Sequence, residues 1–379
     1  MKKIAYIELD THAEIALNFM ELMNDSKAFS VDYYFSEKIL KTICLQETDN
    51  IKKVSAENLL QKLSQYQIPN TKYDLVLIGT VHRYFNVFEK IAEKFNTSII
   101  CHNLNFVKAS NLGLLSSVFK EDYQYRLKLL LKEGLLRKSN VYKKAKNLLV
   151  LDQTLKCNVI LNEAQHNQIK SETLNEDYER SSEESFTFLP IFYTKFSEKP
   201  KNETYTIVIP GAVSQKRRDY EKVLNQIKRF TKNSHYQFIF LGKASGKELE
   251  MLQNFEQNKP ENISIKYFAE KVPQDVFDNF VQKADVLWCP IQQETEFFSQ
   301  KEIYGTTKMS GNIGDAVKFG KLAVFPENYP SKYSFIIPEI DNIEAQLYTQ
   351  QKHLEYDFQE NFSKEKVLKQ LEKTIFALL

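Results

Sequence analysis

An alternation of short apolar runs with helix-period segments passes through this chain twice, and it limits the fold more than any other feature. In the first series, runs at 4–9, 74–78, 98–101 and 148–151 are joined by segments with helical spacing at 13–23 and 85–94. The pattern lapses over 171–203, where 171–185 is acidic and serine-rich and Pro190 and Pro200 break the sequence that follows. It resumes with runs at 205–209, 237–241, 263–267 and 286–289, helices at 219–230, 247–256 and 274–283, and a last helix at 364–378. Apolar runs alternating with amphipathic helices imply parallel sheets covered on both faces. Two series across a break predict an α/β protein with two doubly wound, Rossmann-like domains facing across a cleft. The expected boundaries are a first domain at 1–185, a linker at 186–203, a second domain at 204–355, and a C-terminal helical segment at 356–379 returning to the first domain.

Length and charge fit that division. A chain of 379 residues accommodates two domains, and 42% hydrophobic with 26% charged residues is the balance of a globular protein. A net charge of +2 gives little support to a nucleic-acid partner. Met1, Lys2 and Lys3 lead straight into a strand-like run, with no signal-peptide pattern, and no apolar run approaches the roughly 18 residues of a membrane span. Cys44, Cys101, Cys157 and Cys289 are scattered without metal-ligand spacing, so a reduced, cytoplasmic compartment is expected.

Ligands of open parallel sheets bind beyond the carboxyl ends of the strands. In the second half, Gly211 opens "GAVSQKRRDY", with Arg217 and Arg218 before a helix. Lys243 follows the next run, and Val272 lies in "FAEKVPQ" after the third. The stretch "EIYGTTKMSGNIGDAVKFGKLAVFP", 302–326, holds four of the chain's ten glycines. Ser310 suits an N-cap, Ile313, Ala316 and Val317 share one helical face, and Gly320 suits a C-terminal stop. Lys308, Ser310, Gly311 and Asn312 therefore form a small-residue turn feeding a helix N-terminus, whose free N–H groups and dipole suit a phosphate. Arg217, Arg218 and Lys308 would add bidentate contacts and point charge. A solvated basic turn and a glycine-rich connection are the plain structural alternatives. In the first half His12, His82 and His102, with Asn103 beside the last, each follow an apolar run. Histidine exchanges a proton or binds a sugar hydroxyl near neutral pH, although a lone histidine is more often structural.

The order of elements resembles the GT-B glycosyltransferases, particularly the large family-4-like group. The second half carries the likeness best, in "IPGAVSQKRRDYEKVL", "FIFLGKA", "FAEKVPQDVFDNFVQKADVLWCPI" and "GDAVKFGKLAVFP" over residues 205–326. The resemblance implies that the first two patterns hold the donor diphosphate, the third contacts the base, and the fourth forms the helix and strand beneath the donor. His102 matches the family's active-site histidine in position, with His12, His82 and Asn103 on the acceptor side. The family often carries two glutamates separated by seven residues. Here Asp315 stands where the second would be, Thr307 stands eight residues earlier, and Glu302 precedes an enlarged loop. Glu302 and Asp315 are the acids expected at the catalytic centre, and retention or inversion stays open.

Residues 108–147 carry ten Lys or Arg against three acidic residues. Leu127, Leu130, Leu131 and Leu135 are predicted to share a helical face there, which suits either packing on the first sheet or an anionic membrane surface. The expected function is transfer of a sugar from a nucleotide-diphosphate-sugar donor to a glycan or polyprenyl-linked acceptor in polysaccharide or glycoconjugate synthesis. No cofactor is expected, and no metal, since the chain has no Asp-x-Asp. A nucleotide-sugar epimerase on the same fold and a non-catalytic nucleotide-sugar-binding module are the alternatives.

Overall fold

A computed structural model describes residues 1–65, 73–111, 113–114, 123–155, 186–196, 204–231, 234–347 and 356–379. The serine-rich stretch 171–185 lies outside the described residues. The first domain is built on β1 (Lys2–Glu8), β2 (Phe29–Phe35), β3 (Ile51–Lys53), β4 (Leu75–Ile78), β5 (Thr97–Ile100), β6 (Asn147–Val150) and β7 (Phe186–Phe188). All are parallel, in the order β3-β2-β1-β4-β5-β6-β7. The second domain contains β8 (Tyr205–Pro210), β9 (Tyr236–Lys243), β10 (Ile263–Phe268), β11 (Val286–Trp288), β12 (Glu294–Phe297), β13 (Gln300–Ile303), β14 (Ala323–Phe325) and β15 (Ile336–Pro338). Six of these form a parallel sheet ordered β10-β9-β8-β11-β14-β15, while β12 and β13 pair as an antiparallel hairpin outside it.

Each sheet buries both faces at its centre, which is why its central strands read as apolar runs. All four residues of β4, LVLI, are buried. β2 is the exception that hides from a periodicity argument, because Asp32 sits buried in its middle. Tyr73 donates a hydrogen bond of 2.5 Å to Asp32, and Lys3 and Lys52 stand 3.2 and 3.3 Å away, so the carboxylate is compensated.

The stretch expected as a linker begins inside the first sheet, since Phe186–Phe188 is its edge strand. Beyond it, Leu189 and Ile191 still belong to the first core. Phe196 then stacks on Phe319 of the second domain at 5.2 Å. The helix Lys364–Leu378 buries Val367, Leu371, Ile375 and Leu378 in the first domain's core, which also holds Ala16, Phe19 and Met23 of the helix Ala13–Met23. The outgoing and returning crossings are joined where the Thr194 N–H donates to the Phe362 carbonyl at 2.8 Å.

The leucine face predicted in the basic stretch is corrected. In the helix Tyr123–Leu131 the buried residues are Arg126 and Leu129. Leu127 and Leu131 are exposed, and Leu135 is buried in a separate 3-10 turn, Leu135–Arg137, after Gly134 bends the chain at φ 73°.

Candidate functional site

In both sheets the order of strand addition reverses at the centre, between β1 and β4 and between β8 and β11. The loops beyond those strand ends face one another. On the second-domain side, Gly211 adopts φ 108°, and a Cβ there would lie 2.2 Å from the Arg218 guanidinium. The bare glycine lets Arg218 lie flat over the strand end. Arg218 Nη2 donates to Asn312 Oδ1 at 3.2 Å, and its Nε is buried with no partner. Asn312 in turn donates to Asp315 at 3.1 Å. The helix Gly311–Phe319 begins as the sequence predicts: Ser310 caps it by accepting from the Asn312 N–H at 3.3 Å, and Gly320 ends it at φ 60°. Arg217 and Lys243 are exposed, with Lys243 3.9 Å from Glu270, and Val272 packs partly buried against the core.

The first-domain side gathers the three histidines. The His12 and His102 rings stack at 3.6 Å, and His82 stands edge-on to both at 6.1 Å. Their positions are fixed from behind. Glu8, buried at the end of β1, accepts from Thr80 Oγ1 at 2.6 Å and from the Asp10 N–H at 3.0 Å. His102 Nε2 donates to the Gly79 carbonyl at 2.8 Å, which leaves Nδ1 of the neutral ring with its lone pair. Lys308 reaches across from the second domain and donates to Asn103 Oδ1, so the Asn103 amide nitrogen donates to His82 Nε2 at 3.2 Å. Burial lowers His12 to about 4 and His82 to about 3, and pushes His102 well below its ordinary value, with Lys308 adding to each. All three are neutral at pH 7. Burial also lowers Lys308 itself.

Between the two sides lies a cavity of about 580 Å³, lined by His12, Glu14, His102, Lys308, Gly311 and Asp315 among others. Two of its acids are already paired, Glu21 with Lys195 and Asp278 with Lys318. Glu14 and Asp315 face each other from opposite domains, and burial followed by repulsion from Glu14 pushes Asp315 up to about 7. Among the described residues no group of three or more His, Cys, Asp or Glu is placed to hold a metal ion.

Glu302, expected among the acids of the catalytic centre, does not line this cavity. It is fully buried on β13, and its carboxylate accepts from the Phe106 and Asn105 N–H groups at 2.8 and 3.3 Å. Glu14 was absent from the candidates because it opens an ordinary amphipathic helix; the usable signal was its place six residues beyond the end of β1.

No family model and no curated protein matches the chain. Solved structures do. The lipopolysaccharide outer core galactosyltransferase WaaB aligns over 100% of both chains with a TM-score of 0.52 at 12% identity. Anabaena HepE in complex with UDP aligns over 100% of both at 0.56 and 10%. The alpha-glucosyltransferase AGT in complex with UDP covers 100% of this chain and 95% of its own at 0.50 and 8%. The fold shared with these structures is GT-B.

Proposed function

We propose that the chain is a glycosyltransferase. It takes a sugar from a nucleotide-diphosphate-sugar donor held by the second domain and passes it to a glycan or polyprenyl-linked acceptor lying along the first, in polysaccharide or glycoconjugate assembly. The observation that carries this is the division of chemistry across one cavity: Lys308 and the N-terminus of the helix Gly311–Phe319 on one side, the neutral His12 and His102 rings on the other. Charge builds on the diphosphate as the glycosidic bond breaks. In this reading Lys308 and the Gly311 N–H at the cavity, with Arg218 bonded to Asn312 beside them, stabilise it in place of a metal. His102 Nδ1, free to accept, would bind a hydroxyl of the transferred sugar or of the acceptor.

The HepE and AGT structures are complexes with UDP, which makes UDP the first probe. Calorimetry should give Arg218→Ala and Lys308→Ala affinities weaker by about 1.5–3 kcal/mol, roughly 10- to 150-fold, with a smaller loss for exposed Arg217→Ala. Unchanged affinity in all three removes the diphosphate assignment. A nucleotide-sugar epimerase is the second reading, favoured by Glu14 facing Asp315, since epimerisation needs an acid and a base about one carbon. Incubating UDP-sugars without acceptor separates the two: epimerised donor would establish the second reading.

The acceptor would be met at the inner face of the membrane. Among the described residues no helix is long and apolar enough to cross a membrane. Tyr123, Tyr125, Leu127, Leu131 and Leu136 nevertheless present exposed apolar surface within the basic stretch. Co-sedimentation with anionic vesicles should weaken in a Leu127→Ser, Leu131→Ser double variant. Equal binding to neutral and anionic vesicles would overturn the membrane contact.

A further inference from the structure

The helix Leu104–Lys108 follows directly from His102 and Asn103, yet it does not complete its own N-terminus. Asn103 occupies the cap position and its side chain makes no capping bond. The first three N–H groups are filled by the other domain instead. Leu104 donates to the Thr307 carbonyl at 2.9 Å, Asn105 to Glu302 Oε2 at 3.3 Å and Phe106 to Glu302 Oε1 at 2.8 Å. The Asn105 side chain adds a fourth bond, to the Lys301 carbonyl at 2.7 Å. Only with the Val107 N–H, which donates to the Asn103 carbonyl at 3.0 Å, do the helix's own bonds begin. At the other end the buried Lys138 donates to the Val107 and Ala109 carbonyls at 2.6 and 2.7 Å. A carboxylate at the N-terminus and an ammonium at the C-terminus both suit the helix dipole.

Glu302 reaches this place on the β12–β13 hairpin. The hairpin turns through Phe298 and Ser299 at φ 51° and 59°, a left-handed pair without glycine. Such a turn is costly alone and persists where its surroundings hold it. Here Arg126 of the first domain lies over the Phe298 ring at 4.9 Å and donates to Ser299 Oγ at 2.5 Å. Phe297 packs against His82 at 4.5 Å and Phe106 at 5.0 Å. Thr307 Oγ1 accepts from the Ile303 N–H at 2.8 Å, fixing the return of the strand.

We infer that Glu302 is a positioning residue. By capping the Leu104–Lys108 helix from the opposite domain, it holds the His102–Asn103 turn, and through Asn103 the His82 ring, in the arrangement that receives the acceptor. The acceptor side of the cleft is therefore assembled from both domains. An orphaned N–H in a buried helix terminus costs more than the bond itself contributes, so loss of the carboxylate frees the helix's first turn. The positioning role rests on the glycosyltransferase reading; the cap does not, and the two are measured separately.

Hydrogen exchange on the intact protein reads the cap. In Glu302→Ala, peptides covering 101–110 should exchange roughly tenfold faster or more, with the second-domain core unchanged. Glu302→Gln, which keeps an oxygen on the Phe106 N–H, should restore most of the protection. Turnover reads the positioning: kcat should fall about 10- to 100-fold in the alanine variant, with UDP affinity within about twofold of wild type. Phe297→Ala, which removes packing from the His82 ring and keeps the Glu302 carboxylate, gives a second route and should lower kcat while loosening 101–110 less than Glu302→Ala does. Unchanged exchange at 101–110 in Glu302→Ala, or a uniform rise across every peptide, would overturn the inference. Loosening at 101–110 in a chain whose wild type transfers no sugar would leave the cap standing and remove the functional reading instead.

Discussion

Two helices enter this cleft at their N-termini, and they use the same local device for opposite ends. The helix Leu104–Lys108 has its first three N–H groups bonded to Thr307 and Glu302 of the facing domain. The helix Gly311–Phe319 is capped only by its own Ser310, and the Gly311 N–H has no partner among the described residues. One terminus is consumed in joining the domains; the other keeps its field and a donor for a ligand. The surrounding charge follows the same split. The consumed terminus is matched by a buried acid, whereas the open one is joined through Asn312 to Arg218 and backed by an Asp315 that burial and Glu14 keep largely neutral below about pH 7. A helix N-terminus is thus a site only where the protein leaves it unsatisfied.

The difference breaks most sharply at His102, beside the consumed terminus. His102→Ala should lower kcat about 100-fold while UDP affinity stays unchanged, assayed with the melting temperature held constant. A wild-type kcat in that variant, with His12→Ala or His82→Ala inactive, would move the reacting centre to the other rings. A weaker effect should separate the two termini by pH. Asp315, raised to about 7, is neutral below that value and charged above it, so it repels a diphosphate increasingly as pH rises. UDP affinity should therefore fall roughly three- to tenfold from pH 6 to pH 8 relative to Asp315→Asn, in which that component is absent. Parallel pH profiles for the two proteins would place Asp315 away from the phosphates. The smallest effect belongs to the open helix's own cap. Ser310→Ala should cost about 1 kcal/mol, a fall of about 2–4 °C in melting temperature, without changing exchange at 101–110. If that exchange rose too, the termini would not be independent.

How much was legible follows the range of the interactions. The helices 13–23, 85–94, 274–283 and 364–378 stand where their periodicity placed them, because each reports a local apolar stripe. The open terminus was equally readable, since Ser310, Gly311 and Gly320 act through bonds to near neighbours. β2 is not legible, because Asp32 interrupts its run and is compensated by Lys3 and Lys52 of neighbouring strands and by Tyr73 just before β4. The β12–β13 hairpin was missed because "ETEFFSQKEI" is mostly polar and turns on Phe298-Ser299 rather than on Asn-Gly, with Arg126 and Phe106 supplying the support. The bonds of Glu302 are not legible in the sequence, because its partners lie 196 and 197 positions away, beyond any motif. The three histidines could each be placed at a strand end, but their stacking is a property of the assembled sheet.

The hairpin also bears on how the molecule can move. The chain passes between domains at 189–196 and again near 356–363, and these passages are bonded side by side at Thr194 and Phe362. Mechanically they make one hinge. The Glu302 cap and the Phe297–Phe298 tip form a second attachment, at the helix that follows β5. A rigid body pinned at one point can swing in any direction; pinned at two, it keeps a single rotation, about the line joining the pins. With both attachments made, any turning of the second domain on the first would be held to rotation about the line that joins them, carrying Asp315 and Arg218 on one arc relative to His102.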